Sequence, residues 1–235
     1  MEQNQEDIRS NIRKRKLLEK TLLPYIKSGL KVLDVGAGEG WAMSYFQEKS
    51  CEYYAVEPVE RLAYSIKDRG GKVIGRNIFD NLQEYKGCFD IIIFRHVLEH
   101  LLDPCRALEA LAEFLRPEGI LYVALPNAVA PSVKKGFRSS YIRPVHISYF
   151  CVENVLWLAS RANLGCVEFV SEGEICCLFS LNAQSVACLM SCVDRQRKIF
   201  NDFAKRAYFK DINKLTREIA MTMIQRLAFK RLLTL

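Results

Sequence analysis

The sequence predicts a single α/β domain built on a doubly wound sheet. Three observations carry this. From residue 31 onward, short apolar runs alternate with segments of helical period, the pattern of strands joined by crossover helices. The stretch Lys31-Val-Leu-Asp-Val-Gly-Ala-Gly-Glu-Gly40 places three alternating glycines directly behind the first apolar run. The chain of 235 residues is 50% hydrophobic and 26% charged, enough apolar material for a core of its own.

Taken in order, residues 6–28 read as a basic amphipathic helix, with Ile8, Ile12, Leu17, Leu18, Leu22 and Leu23 on helical spacing, Pro24 bending it and Ser28-Gly29 closing it. Lys31–Val35 is a strand and Trp41–Lys49 a helix. Tyr53–Val56 and Val59–Asp68 repeat the unit, and Lys72–Ile74 adds a short strand. Phe89–Phe94 is strongly apolar, with Asp90 its one charged residue, as a strand buried on both faces of a parallel sheet should be. Asp103-Pro104 supplies an N-cap and a first-turn proline for a helix to about Leu115. Arg116–Gly119 is a turn before the strand Ile120–Leu125. Residues 126–150 break the rhythm with three prolines, a glycine and five basic side chains, His146 included; they read as an insertion or lid that carries specificity. Glu153–Ala162 is a helix stopped by Asn163-Leu-Gly165. Cys166–Val170 and Ile175–Leu181 alternate like a hairpin. From Ser185 the chain looks helical. The expected organisation is an N-terminal helical segment (1–29), a central domain (30–184) and a basic helical extension (185–235).

Composition excludes some classes. No apolar run approaches the ~20 residues of a membrane span, and the polar start MEQNQEDIRSNIRKRK lacks a signal-peptide core, so a cytoplasmic protein is expected. Nine cysteines form no CxxC pair and read as free thiols of a reducing compartment. The three histidines, His96, His100 and His146, are not spaced with cysteines as a structural zinc site would be, and no ligand cluster compels a metal.

A glycine-rich turn between strand and helix lets backbone amides approach a ligand. The spacing here is GxGxG (Gly36, Gly38, Gly40), not the GxGxxG of dinucleotide binders. Asp34 falls near the end of the strand, where a carboxylate repels a pyrophosphate but suits a ligand that carries a cation. Glu57 ends the second strand, 21 residues after Gly36, where an acid can accept hydrogen bonds from ribose hydroxyls.

At these residues the chain resembles the class I S-adenosylmethionine-dependent methyltransferases, over roughly residues 30–182. VLDVGAGEG is similar to their first motif and YYAVEP to their second. FDIIIFRHVLEHLLDP and LRPEGILYVALPN resemble the fourth- and fifth-strand motifs of the small-molecule branch. VHISYFCVENVLWLASRANLG is similar to that branch's HxxxF segment, helix and glycine. The resemblance implies a seven-stranded Rossmann-like sheet with helices on both faces and S-adenosyl-L-methionine as cofactor. It places the methionine portion over Gly36, Ala37 and Gly38 with Asp34 nearby, and the ribose on Glu57. The family's acidic residue beside the adenine falls within Arg76–Asp80. Asn77 fills that place, with Ile78 against the adenine, or Asp80 does from a shifted register. Arg95 and His96 leave the fourth strand where cofactor and acceptor meet.

Transfer of methyl from a sulfonium needs positioning, and an oxygen acceptor also needs a base for its proton. His146 and His96 are the candidates, with His100 read as structural and Tyr141 and Tyr149 as pocket hydroxyls. If Val97–Leu101 is helical, His96 and His100 share a face, and Glu99 points elsewhere to cap or brace the loop. Phe94-Arg-His-Val97 is not the Asn/Asp-Pro-Pro-aromatic run of many nucleic-acid N-methylating enzymes. Pro104-Cys105 lies ten residues beyond the strand end and inside a predicted helix, so it is a chance match to a cytosine-methylating nucleophile.

The net charge of +7 sits in the tail: residues 193–235 hold eleven Lys/Arg and four Asp/Glu, and the rest of the chain balances. Three readings compete there: helices packing on the domain or on a second subunit, an anionic membrane surface or lipid-linked substrate, and RNA. The function expected is O-methylation of a small molecule or a sugar or glycan hydroxyl. The alternatives are an RNA methyltransferase using the tail with Lys134, Lys135, Arg138 and Arg143, and a non-catalytic module that keeps the fold.

Overall fold

The computed structural model describes residues 5–130, 145–171 and 173–184, with isolated positions between 197 and 205. The expected lid falls partly, and the basic extension almost wholly, outside the described residues, together with Tyr141, Cys188 and Cys192.

Seven strands form one sheet: β1 (Lys31–Val35), β2 (Glu52–Val56), β3 (Lys72–Gly75), β4 (Phe89–Arg95), β5 (Leu115–Pro126), β6 (Gly165–Val170) and β7 (Glu174–Ser180). Their order is β3-β2-β1-β4-β5-β7-β6. The first five run parallel. β7 enters between β5 and β6, antiparallel to both, so the sheet is mixed rather than parallel throughout. The physical reason is the short connection, three residues in sequence, between the end of β6 at Val170 and the start of β7 at Glu174. A two-to-five-residue connection joins antiparallel strands, whereas a parallel return needs a crossover of a dozen residues or more.

Side chains alternate along the strands and divide the core in two. Leu33, Ile92, Phe94, Leu121, Val123, Cys177 and Phe179 face one way, towards α4 (Pro104–Phe114) and α5 (Val152–Arg161). Val32, Ile91, Ile93, Tyr122 and Leu178 face the other, towards α1 (Gln5–Leu22), α2 (Met43–Glu48) and α3 (Glu60–Asp68). Helices therefore cover both faces, as doubly wound sheets require. Pro24 ends α1 in a short 3₁₀ turn, Leu23–Tyr25. Leu18 and Leu22 are fully buried, and Arg15 pairs with Glu48 at 2.5 Å while lying 5.2 Å over the Tyr45 ring, which docks α1 on α2. Asp103 caps α4 by accepting from the Arg106 amide at 3.0 Å, with Pro104 in the first turn.

The residues read as a turn, Arg116–Gly119, belong to β5. The register jumps from Phe89↔Leu115 to Ile91↔Ile120, so the segment bulges out of the ladder without ending the strand. The seven described cysteines are all free. No described helix is long and apolar enough to cross a membrane.

Candidate functional site

The carboxyl ends of β1, β2 and β4 meet at one edge of the sheet, the place where open α/β sheets bind ligands. Gly36, Gly38 and Gly40 follow β1 with φ of 71°, 56° and 67°, values that L side chains rarely adopt. Gly36 is doubly constrained, because a Cβ there would lie 2.5 Å from Cγ2 of Val97. At Gly38 nothing lies within 4 Å of the same position, so the loop is open above its middle glycine. Ala37 is buried beneath it.

Two acids support this loop. Glu57 is 3% exposed; its Oε2 accepts from the Gly38 amide at 2.7 Å and its Oε1 from the Val59 amide at 2.9 Å. The carboxylate thus ties the end of β2 to the loop and keeps lone pairs for a ligand hydroxyl. Asp34 is 1% exposed and accepts from the Tyr53 hydroxyl at 2.6 Å. Burial raises its pKa to about 7 against the Tyr53 bond, with nearby Glu57 adding to the rise. A cationic ligand would relieve that cost.

Arg95, at the end of β4, pairs with Glu174 at 2.7 Å, and its guanidinium lies 5.6 Å over the Trp41 ring just beyond the glycine loop. Beyond β3 the chain turns tightly. Asp80 accepts from the amides of Arg76 and Asn77 at 2.8 and 2.9 Å, and the Asn77 carboxamide oxygen from the Phe79 amide at 3.1 Å. Both candidates for the adenine contact therefore hold the turn itself, and Ile78 is packed into the core beside them.

The other half of the edge is built from side chains far apart in sequence. His96 follows β4 with φ 54° and is anchored by its amide to the Ala124 carbonyl at 2.8 Å. Its Nε2 meets Glu174 at 2.6 Å and its Nδ1 meets Glu99 at 3.2 Å. Burial works against protonation of this ring, but the Glu174 and Glu99 bonds outweigh it and raise the pKa above the ordinary histidine value. Glu174 is held low despite burial, by His96 and Arg95.

Leu98–His100 is a 3₁₀ turn rather than an α-helix. Its tighter winding turns Glu99 inward, and the carboxylate lies between the two histidines instead of pointing away. Glu99 is 1% exposed, and its Oε2 has no hydrogen-bond partner among the described residues. His146 is brought in by residues 145–148. The His100 Nδ1 meets the Val145 carbonyl at 2.7 Å, and the Glu99 carbonyl accepts from the Ile147 and Ser148 amides at 2.9 and 3.1 Å. The His100 and His146 rings meet edge to face at 4.9 Å, with Tyr149 at 6.1 Å from His146.

The structure therefore gathers Asp34, Gly36, Ala37, Gly38, Glu57 and Arg95 around one loop, and His96 and His146 around Glu99. Glu174, Glu99 and Trp41 were not singled out as functional residues by sequence. Only one signal pointed to Glu174, a charged residue in the turn just before the predicted strand Ile175–Leu181.

A doubly wound sheet whose carboxyl edge carries an acid-flanked glycine loop defines the class I S-adenosylmethionine-dependent methyltransferase fold. Solved structures agree on this fold. A Pyrococcus horikoshii protein superposes with a TM-score of 0.61 at 20% identity, covering 75% of this chain and 92% of that one. An S-adenosylmethionine-dependent methyltransferase from Mesorhizobium loti gives 0.56 at 13% identity, covering 68% and 94%. Residues 3–168 match the methyltransferase-domain family model, and the chain belongs to that family, with S-adenosylmethionine as its cofactor. It is 29% identical over 136 residues to a ubiquinone biosynthesis O-methyltransferase of Rhizobium rhizogenes, covering 55% of this chain and 50% of the relative. The counterpart in Xylella fastidiosa is 33% identical over 106 residues, covering 43% of each. The chain spans about half the length of the curated relatives it matches.

Proposed function

We propose that this chain is an S-adenosylmethionine-dependent O-methyltransferase acting on a hydroxyl of a small molecule or of a sugar or glycan. The observation that carries the reading is the division of one sheet edge. An acid-flanked backbone loop stands on the β1–β2 side, and a cluster of imidazoles and carboxylates stands beyond β4. Gly36, Ala37 and Gly38 receive the methionine portion, with Asp34 beneath it. Glu57 takes the ribose hydroxyls on its remaining lone pairs. Asn77 and Ile78 border the adenine, and Arg95 closes the loop side through Trp41. The oxygen acceptor is supported by the names of the relatives.

His146 positions the acceptor. His96 is a positioning residue: with each ring nitrogen against a carboxylate, it fixes the end of β4 and holds Glu99 in place. The cofactor supplies an electrophilic methyl group and leaves as a neutral thioether. The chain's share is alignment, exclusion of water and a place for the acceptor proton.

The surface of the basic extension is read as facing an anionic membrane or a lipid-linked acceptor, or as packing against a second copy of the chain; RNA is the weaker reading. The test is methyl transfer from radiolabelled S-adenosylmethionine to a panel of catechols, sugars and lipid-linked sugars, with transfer RNA in parallel. Label in a hydroxyl compound supports the reading, and label in RNA alone overturns it.

A further inference from the structure

Beyond the cofactor loop, one cluster is composed like a metal site. Glu99, His100 and His146 each offer a ligand atom, and the three atoms lie within 4.8 Å of one another. Two imidazoles and one carboxylate are a donor set for Zn²⁺ and its first-row neighbours. We propose that these three residues bind one divalent transition-metal ion, and that its open positions hold the acceptor oxygen.

Three observations support it. The first is the His100 tautomer. Its Nδ1 lies 2.7 Å from the Val145 carbonyl, which can only accept, so Nδ1 carries the proton and Nε2 presents a lone pair. Metal-binding histidines are oriented in the same way, through a bond from the second nitrogen to a carbonyl. Nε2 lies 3.9 Å from Glu99 Oε1, too far for a hydrogen bond and close to the spacing of two ligands around one ion. The second is Glu99 itself. It is buried, and its Oε2 has no hydrogen-bond partner among the described residues. A buried carboxylate oxygen left so is costly, and a cation is the partner that repays it. The third is the frame. His146 is 46 residues from His100 in the chain, yet three hydrogen bonds clamp residues 145–148 onto the Leu98–His100 turn.

Ligand lengths of about 2.0–2.2 Å require the three groups to close by roughly 1 Å, which side-chain rotation supplies. Three protein ligands leave at least one position open, as catalytic sites do. A hydroxyl bound there has its pKa lowered. The acceptor proton would then pass to solvent water, since both ring nitrogens of His96 already face carboxylates. This role rests on the O-methyltransferase reading; the binding of metal does not.

The test uses the purified full chain, stripped with chelator. Co²⁺ is titrated by visible absorption and calorimetry, and S-adenosylhomocysteine affinity is measured on the same samples. One equivalent should bind with the absorption of a nitrogen- and oxygen-ligated ion, and Zn²⁺ should displace it. His100→Ala, His146→Ala and Glu99→Gln should each weaken binding at least about tenfold while S-adenosylhomocysteine affinity stays unchanged, which shows the variants are folded. Acetohydroxamate should shift the Co²⁺ spectrum. No Co²⁺ uptake in protein that binds S-adenosylhomocysteine, or uptake indifferent to all three substitutions, overturns the site. Uptake with no response to acetohydroxamate overturns the acceptor-holding role. Loss of S-adenosylhomocysteine binding by the wild-type chain overturns the cofactor reading instead.

Discussion

At the β1–β2 end of the sheet edge, the candidate site is made of backbone. Glycine amides, a left-handed loop and two acids that end their strands stand within 24 residues of one another in sequence. At the β4–β7 end it is made of side chains drawn from 95–100, 146 and 174. The first arrangement fits a ligand that never changes, because backbone geometry tolerates little variation. The second can be re-equipped one side chain at a time without disturbing the glycine loop. The two ends should therefore fail differently when mutated.

The largest effect is expected at Gly36. Alanine there meets Val97 and a φ of 71°; the left-handed backbone alone costs about 1–2 kcal/mol. Calorimetry should show S-adenosylhomocysteine affinity reduced by about 100-fold or more, roughly 2.7 kcal/mol. Wild-type affinity would break the loop assignment. Glu57→Gln comes next. It sets an amide against the Gly38 and Val59 donors and removes the charge, for a loss of about 1–3 kcal/mol in cofactor binding.

The acceptor end should respond in turnover instead. His146→Ala is expected to lower turnover by on the order of tenfold while leaving cofactor affinity nearly unchanged, as for a group that aligns the acceptor. Equal losses in both would erase the contrast between the two ends. Glu174→Gln removes the bridge between Arg95 and His96, so the His96 titration should move down in an NMR series. A midpoint that stays in place would remove Glu174 as the cause of the raised value.

The smallest effect concerns pH. Asp34 is raised to about 7 by burial, so the folded protein holds a proton that the unfolded chain releases near pH 4. That contribution to stability is complete below pH 4, is lost as pH rises towards 7, and stays lost above it. Asp34→Asn should therefore gain thermal stability relative to wild type between pH 4 and pH 8 while weakening the cofactor. Parallel melting midpoints across the range would contradict the buried-acid account.

The same contrast explains what could be read from the sequence. β1, the glycine loop and Glu57 were legible because strand period, glycine spacing and a terminal acid are local signals. So were the N-cap at Asp103 and the hairpin of β6 and β7. The insertion of β7 beside β5 was not, because strand order is set by packing across the whole sheet. With it went Glu174, whose role exists only because β7 begins beside His96. Glu99 was misread for a different reason. An α-helix over Val97–Leu101 would have turned it away, whereas the observed 3₁₀ turn buries it between the histidines. The convergence of His100 with His146 depends on hydrogen bonds between residues 45 to 49 apart, which no periodicity announces.

The most direct test of the central claim is calorimetric titration of the purified chain with S-adenosylmethionine, S-adenosylhomocysteine and NADH. The account predicts binding of the first two near the micromolar level, roughly −8 kcal/mol, with no heat from NADH and no response in Gly36→Ala. Binding of NADH, or silence from both adenosyl compounds, would contradict the assignment of the glycine loop.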